Sequence, residues 1–250
     1  MKTFIYFVLA LIPSVVFAEP DKKTPRFRLE VEGGLLYQTR NEVQIPNEES
    51  ATRIDLTEMI GMGPLPAGRV YFTWNINDRH AVRALFAPLQ VTRSKTIDSA
   101  ILFDGVTFDA GQKTAFTYKF NSYRLNYHYR FFAADTFKAF VGFTAKIRDA
   151  KVELTQGDHH GVLTDLGFVP LLYLAFDWRF APRTHLVFDF NGLAGGPGRA
   201  FDVSLKVAYD ITDNLGVSVG YRTVEGGADV DAVYNFAWLH FGVLSLSYQF

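Results

Sequence analysis

The sequence predicts an all-β chain, a single antiparallel up-and-down barrel, and three observations predict it. The first is the last stretch, Asn235–Phe250, which reads NFAWLHFGVLSLSYQF. From Trp238 onward one parity carries Trp238, His240, Gly242, Leu244, Leu246, Tyr248 and Phe250, and the other Leu239, Phe241, Val243, Ser245, Ser247 and Gln249. Toward the end apolar and polar residues alternate strictly, the mark of a strand whose two faces meet different environments. Trp238 and Tyr248 are ten residues apart, which at about 3.3 Å per residue and a tilt of about 40° spans roughly 25 Å, the height of the apolar band on a membrane barrel. The second observation is composition: 48% of the chain is hydrophobic and 16% aromatic, with 24 Phe and 12 Tyr. Yet after the amino-terminal segment no run of 18 apolar residues occurs, so helical spans are excluded and strands must do the crossing. The third is punctuation, short turn signals alternating with longer polar segments.

Residues 1–18 read as a secretory signal peptide. Lys2 precedes an apolar core from Phe4 to Val16, and Val16-Phe17-Ala18 offers a small-residue cleavage site before Glu19-Pro20. A retained anchor fits less well, because Pro13 interrupts a run that is short for a span. The barrel domain is then residues 19–250. The chain has no cysteine, which excludes a lipid-anchored cysteine and any disulfide framework. A net charge of −1 gives no argument for nucleic acid.

Taken in order, the alternating segments are Phe27–Thr39, Ala67–Ile76, His80–Thr92, Ala115–Phe132, Phe137–Leu154, Leu166–Phe180, Thr184–Leu193, Arg199–Ile211, Leu215–Val224 and Asn235–Phe250. Tight turns are expected at Asn77–Arg79, Ala133–Thr136, Ala181–Arg183 and Thr212–Asn214. Longer polar loops are expected at Arg40–Pro64, Arg93–Gln112, Thr155–Asp165, Gly195–Gly198 and Glu225–Tyr234. Ten strands put both termini on the turn side, and an even number with short turns inside and longer loops outside is the bacterial pattern. Eight or twelve strands remain open. Ile101-Leu102-Phe103 and Val106-Thr107-Phe108 flank Asp104-Gly105, a hairpin signal inside the second loop. Pro88 and Pro170 cannot donate ladder bonds, so bulges or strand ends are expected nearby. His240 falls on the apolar parity, which calls for a bulge or a position among headgroups.

With the aromatic parity toward lipid, the lumen receives Arg28, Glu30, Glu32, Arg69, Arg83, Arg124, Lys146, Arg148, Asp177, Arg179, Asp189, Asp202, Lys206 and Arg222. Arg or Lys toward lipid at mid-depth costs about 2–4 kcal/mol, which constrains the parity. A ten-stranded barrel is narrow, so these charges must pair. We expect a network of Glu30, Glu32, Arg69, Arg83, Arg124, Lys146, Arg148, Asp189, Lys206 and Arg222, with Glu30, Glu32 and Asp189 as the carboxylate partners. It reads either as a structural ionic plug or as a restricted pore whose cationic excess passes small anionic solutes. His128 and His185, lumenal by parity, join the polar network.

The alternative is a barrel enzyme, a protease or lipid hydrolase, with a site at the outer rim. Its candidates are Asp158, His159 and His160, with Glu225, Asp229 and Asp231 in the last loop. A His–Asp pair can activate water or a serine, but no glycine-flanked serine stands near, and adjacent histidines alone define no metal site. We expect no catalytic residue, metal or cofactor. A soluble β-sandwich would need a dry core in place of the charged parity.

Four stretches, Phe120-Asn121-Ser122-Tyr123-Arg124-Leu125, Phe143–Ala150, Gly167–Leu172 and Gly220–Asp229, resemble an uncharacterised family of bacterial outer-membrane β-barrel proteins. At the superfamily level the chain is similar to small OmpA-like and OmpW-like barrels. The resemblance implies the fold and an outer-membrane location, with membrane lipid and lipopolysaccharide as partners. It also implies that the strand ending at Phe250 is read by the barrel-assembly machinery. It carries over no catalytic residue, because fold analogy says little about function, and no peptidoglycan-binding domain is expected after the barrel.

Overall fold

The computed structural model describes residues 25–196 and 198–250, so the signal peptide expected at residues 1–18 lies outside the described residues. In chain order the elements are β1 (Phe27–Gln44), β2 (Ile54–Asp55), α1 (Leu56–Ile60), β3 (Leu65–Asn75), β4 (His80–Ala87), β5 (Gln90–Thr96), β6 (Ile101–Phe103), β7 (Val106–Phe108) and β8 (Lys113–Ala133), followed by β9 (Phe137–Gln156), β10 (His159–Ala181), β11 (Thr184–Gly195), β12 (Gly198–Asp210), β13 (Leu215–Val230) and β14 (Val233–Gln249). Each long strand pairs antiparallel with the next, and β14 returns to β1 from Arg28↔Gln249 to Gln44↔Tyr234. Paired N–H groups of Phe27 and Phe250 donate to each other's carbonyls at 2.8 and 2.9 Å, with the two rings 5.7 Å apart. Closure leaves no open edge for lipid to meet at that seam.

The barrel has ten staves. β4 and β5 form one of them, because both pair with β8 and only Pro88-Leu89 separates them. Pro88 has no N–H for the ladder. Asn121 bridges the break, its Oδ1 accepting from the Leu89 N–H at 2.9 Å. The β6–β7 hairpin is a separate two-stranded sheet turning at Asp104-Gly105, both at positive φ (52° and 74°). That is the geometry an Asp-Gly turn favours, and it adds no stave.

The outward parity is the apolar one. Leu244 is 64% exposed and Phe143 68%, with Val31, Phe72, Leu125, Leu174 and Val219 exposed alike. His240 stays on this outward face. The register shift lies on β1, between Gln38 and Arg40, and brings the Thr39 hydroxyl within 2.8 Å of His240 Nε2, while Tyr221 bonds Nδ1.

The strands run longer than the expected boundaries. Thr155–Asp165, expected as a loop, is almost all ladder: β9 and β10 pair up to Gln156↔His159 and turn at Gly157-Asp158, with Gly157 at φ 54°. Likewise β13 and β14 pair up to Val230↔Val233. These residues are polar because they stand in water above the apolar band, and a solvated hairpin has the composition of a loop. Pro170 also sits differently. Its ladder with β9 is unbroken at Pro170↔Ala145, whereas the β10–β11 ladder begins only at Leu172↔Gly192. Pro170 therefore lies on a strand edge, where proline is tolerated.

The first two loops are not simply polar. β2 pairs with β1, α1 starts at Asp55, whose Oδ1 accepts from the Thr57 N–H at 2.7 Å, and β6–β7 folds back. Ile54, Leu56, Ile60, Ile101, Phe103 and Phe108 from these segments pack against Val43, Phe116, Tyr118, Val152 and Leu154 of the wall. An apolar core fills much of the loop end of the barrel.

Candidate functional site

The same inward parity that is apolar at the loop end is ionic at mid-depth. Period-two alternation places Glu32, Arg69, Arg124, Asp202, Lys206 and Arg222 inside, all at most 8% exposed. Glu32 and Arg69 are direct cross-strand partners, as are Ser204 and Arg222. Asp202 is the hub. Its Oδ2 accepts from Arg69 Nη1 at 3.0 Å and Arg124 Nη2 at 2.7 Å, and its Oδ1 from Arg222 Nη1 at 2.6 Å. Glu32 takes Arg222 Nε at 3.0 Å and Lys206 Nζ at 3.1 Å, with Arg69 Nε 3.8 Å away. Lys206 also reaches Glu30, which in turn accepts from Arg28 at 3.1 Å.

A second group lies toward the turn end. Arg83 Nη2 donates to Asp189 at 2.8 Å, and the same carboxylate accepts from the Tyr173 hydroxyl at 3.0 Å and Asn191 at 2.9 Å. The Tyr71 ring lies 5.4 Å from the Arg83 guanidinium and 5.9 Å from that of Arg222, joining the two groups through cation–π contact. His128 Nδ1 bonds Asn126, and His185 sits between Asp177 (2.7 Å) and Asp210 (3.0 Å).

Eight of the ten expected network residues therefore meet around Asp202, Glu32 and Asp189: Glu30, Glu32, Arg69, Arg83, Arg124, Asp189, Lys206 and Arg222. Arg148 does not join them. It pairs with Asp165 of β10, nearer the loop end. Lys146, 4% exposed, forms no ion pair among the described residues; its Nζ faces the Phe120 ring at 4.8 Å. The expected carboxylate partners omitted Asp202. It stands on the inward parity between Phe201 and Val203; Arg222 comes from the neighbouring β13, but Arg69 of β3 and Arg124 of β8 reach it only when the barrel closes.

The ionic layer divides the lumen. Toward the loop end lies a cavity of about 480 Å³ bordered by Arg124, Lys146 and Asp202, and toward the turn end a vestibule of about 280 Å³ bordered by Glu30, Arg83 and Asp189. Within the layer, among Tyr71, Arg83, Arg124, Asp189 and Arg222, the free space is about 10 Å³. That is room for about one water molecule.

The rim groups do not converge. His159 Nδ1 lies 2.8 Å from the Thr107 carbonyl, His160 lies beside Glu153 and Thr155, Glu225 is held by Arg199 (2.7 Å), and Asp229 accepts from Asn47. Among the described residues no group of three or more His, Cys, Asp or Glu side chains is placed to hold a metal.

No family model matches the chain, and no curated protein matches it in sequence. Among solved structures, the outer-membrane protease OmpT of Escherichia coli superimposes with a TM-score of 0.56 at 11% identity, over 93% of this chain and 99% of that one. The chain has the fold of a small outer-membrane β-barrel. Ail of Yersinia pestis (10% identity, 90% and 99% coverage, TM-score 0.39) and the toluene transporter TodX of P. putida (11%, 93% and 91%, 0.36) are more distant barrels. At such identities the likeness concerns the fold and carries no role to this barrel.

Proposed function

We propose that this protein is an integral outer-membrane barrel with a structural or surface role, its lumen closed at mid-depth to the passage of solutes. The observation that carries this reading is the Asp202 hub, where one carboxylate holds three guanidiniums in a layer with about 10 Å³ of free space. The aromatic and aliphatic outer wall supports a bilayer location, and the tight turns at one end support placing that end in the periplasm. Membrane lipid and lipopolysaccharide are then its surroundings. Phe250, hydrogen-bonded to Phe27 at the seam, is the residue proposed to be read during assembly. The separate engagement of His159, His160, Glu225 and Asp229 supports a non-catalytic role.

Solute efflux tests the closed lumen. Vesicles loaded with chloride and with glycine, carrying the refolded barrel, are expected to leak no faster than protein-free vesicles. Protein-dependent efflux of either solute from vesicles whose barrels are shown to be folded would contradict the closed lumen and favour the pore.

A further inference from the structure

The upper wall of the barrel has a gap. β10 continues above Leu172 to His159 paired only with β9, while β11 and β12 end together at Gly195↔Gly198. The wall between β10 and β12 is therefore notched at the loop end. Pro170 stands on the bare edge and presents no N–H there. Phe168 and Pro170 belong to the outward parity of β10, Phe168 being 65% exposed, yet both border the 480 Å³ cavity above the ionic layer. The cavity thus reaches the lipid-facing surface sideways through the notch. Phe168 lies ten residues from Trp178 near the turn end, which at about 3.3 Å per residue and a tilt of about 40° places the notch roughly 25 Å away, at the far edge of the apolar band.

The lining has two chemistries. Phe168, Leu171, Leu193, Ala200, Val224 and Leu239 make it largely apolar, and its size is that of an ordinary small-molecule site, about 300–1,000 Å³. At its inner end stands Lys146, more than nine-tenths buried and without a carboxylate partner among the described residues. A buried ammonium with no counter-ion is costly unless an anion joins it. Of the charged side chains that border the cavity, four are cations (Arg124, Lys146, Arg148, Arg199) and two are carboxylates (Asp202, Glu225), so positive charge is in excess around it.

We propose that this cavity binds an amphipathic carboxylate, its apolar tail against Leu193, Ala200 and Leu239 and its carboxylate on Lys146, and that the molecule enters from the outer leaflet through the notch between β10 and β11. This goes beyond the closed-lumen reading and does not depend on it, since the site opens on the loop-end side of the ionic layer and the layer forms only its floor.

The test is binding of radiolabelled dodecanoate to the refolded barrel in amphipol, with dodecanol as the uncharged comparison. Saturable binding of dodecanoate at one per barrel is expected. Lys146→Met removes the cation without emptying its space, and should weaken dodecanoate roughly tenfold, the effect of losing one charge-assisted hydrogen bond, while leaving dodecanol unchanged; Lys146→Arg should retain dodecanoate. Ala200→Trp fills the cavity and should abolish binding of both, with Ala237→Phe as a second filling variant if the first fails to fold. A Cβ at Gly195 meets nothing within 4 Å, so a side chain can leave the backbone there without a clash; Gly195→Trp should slow uptake of dodecanoate from vesicles. Dodecanoate binding indifferent to Lys146→Met or to both filling variants would overturn the site. Unchanged uptake by Gly195→Trp would overturn the lateral route.

Discussion

Two layers of one lumen, stacked on the same inward-facing positions, are packed by opposite chemistry. At mid-depth the layer is ionic and every member stands on a barrel strand: Glu32 on β1, Arg69 on β3, Arg124 on β8, Asp202 on β12 and Arg222 on β13. At the loop end the layer is apolar, and most of it arrives from outside the wall, with Ile54, Leu56, Ile60, Ile101, Phe103 and Phe108 carried in by the first two loops. The ionic layer is complete only when the barrel is closed, because its Arg69–Asp202 and Arg124–Asp202 pairs link staves that are not neighbours. The apolar layer can come apart while the staves remain paired. The ionic layer thus fixes register and closure, whereas the apolar layer stabilises a cap in the ordinary hydrophobic way. Buried ion networks are weak net stabilisers but very sensitive to losing one partner, and the two layers should accordingly fail differently.

The largest effect is expected at the hub. Asp202→Ala leaves Arg69, Arg124 and Arg222 facing one another, and should cost about 3–5 kcal/mol of barrel stability, read as a shift in the urea midpoint of the heat-dependent gel shift. A midpoint unchanged by this substitution would break the contrast. Phe103→Ala, at a side chain with no exposed surface, should cost about 3–5 kcal/mol as well, but locally. Hydrogen exchange is expected to accelerate across Ile97–Phe108 while the gel-shift midpoint barely moves. Leu244→Arg, outward and midway along β14, should cost about 2–4 kcal/mol in bilayers and much less in detergent, which checks that the outer wall and not the lumen is the lipid face. Smallest of all, Arg28→Ala removes a half-exposed partner of Glu30 and should change stability by less than about 1 kcal/mol.

The parity of the wall and the count of ten were legible because lipid on one side and a polar lumen on the other impose period two on every stave. Loop lengths were less so. Thr155–Asp165 is polar whether it is a loop or a solvated ladder, and composition cannot distinguish them. The apolar cap was hidden for another reason: Ile54, Leu56 and Ile60 follow no strand period within Arg40–Pro64, and only folding over the barrel mouth gathers them with Phe103 and Phe108. The inward charges were legible one by one, but not their pairing. Arg148 and Lys146 share the parity of the network, yet one turns to Asp165 and the other has no ion pair among the described residues, because position along the barrel axis depends on tilt and register. The notch was equally invisible, since it is a mismatch of strand lengths and not a feature of any one segment; Pro170 was its only local sign.

Conductance in a planar bilayer tests most directly whether paired charges close the lumen. Folded wild-type protein should give no discrete steps, and Asp202→Ala, if it remains folded, should give steps selective for anions, because three guanidiniums then line the constriction without their carboxylate. Stable ohmic steps from the wild type, altered by Arg124→Ala or Arg222→Ala, would contradict the account and make the barrel a pore.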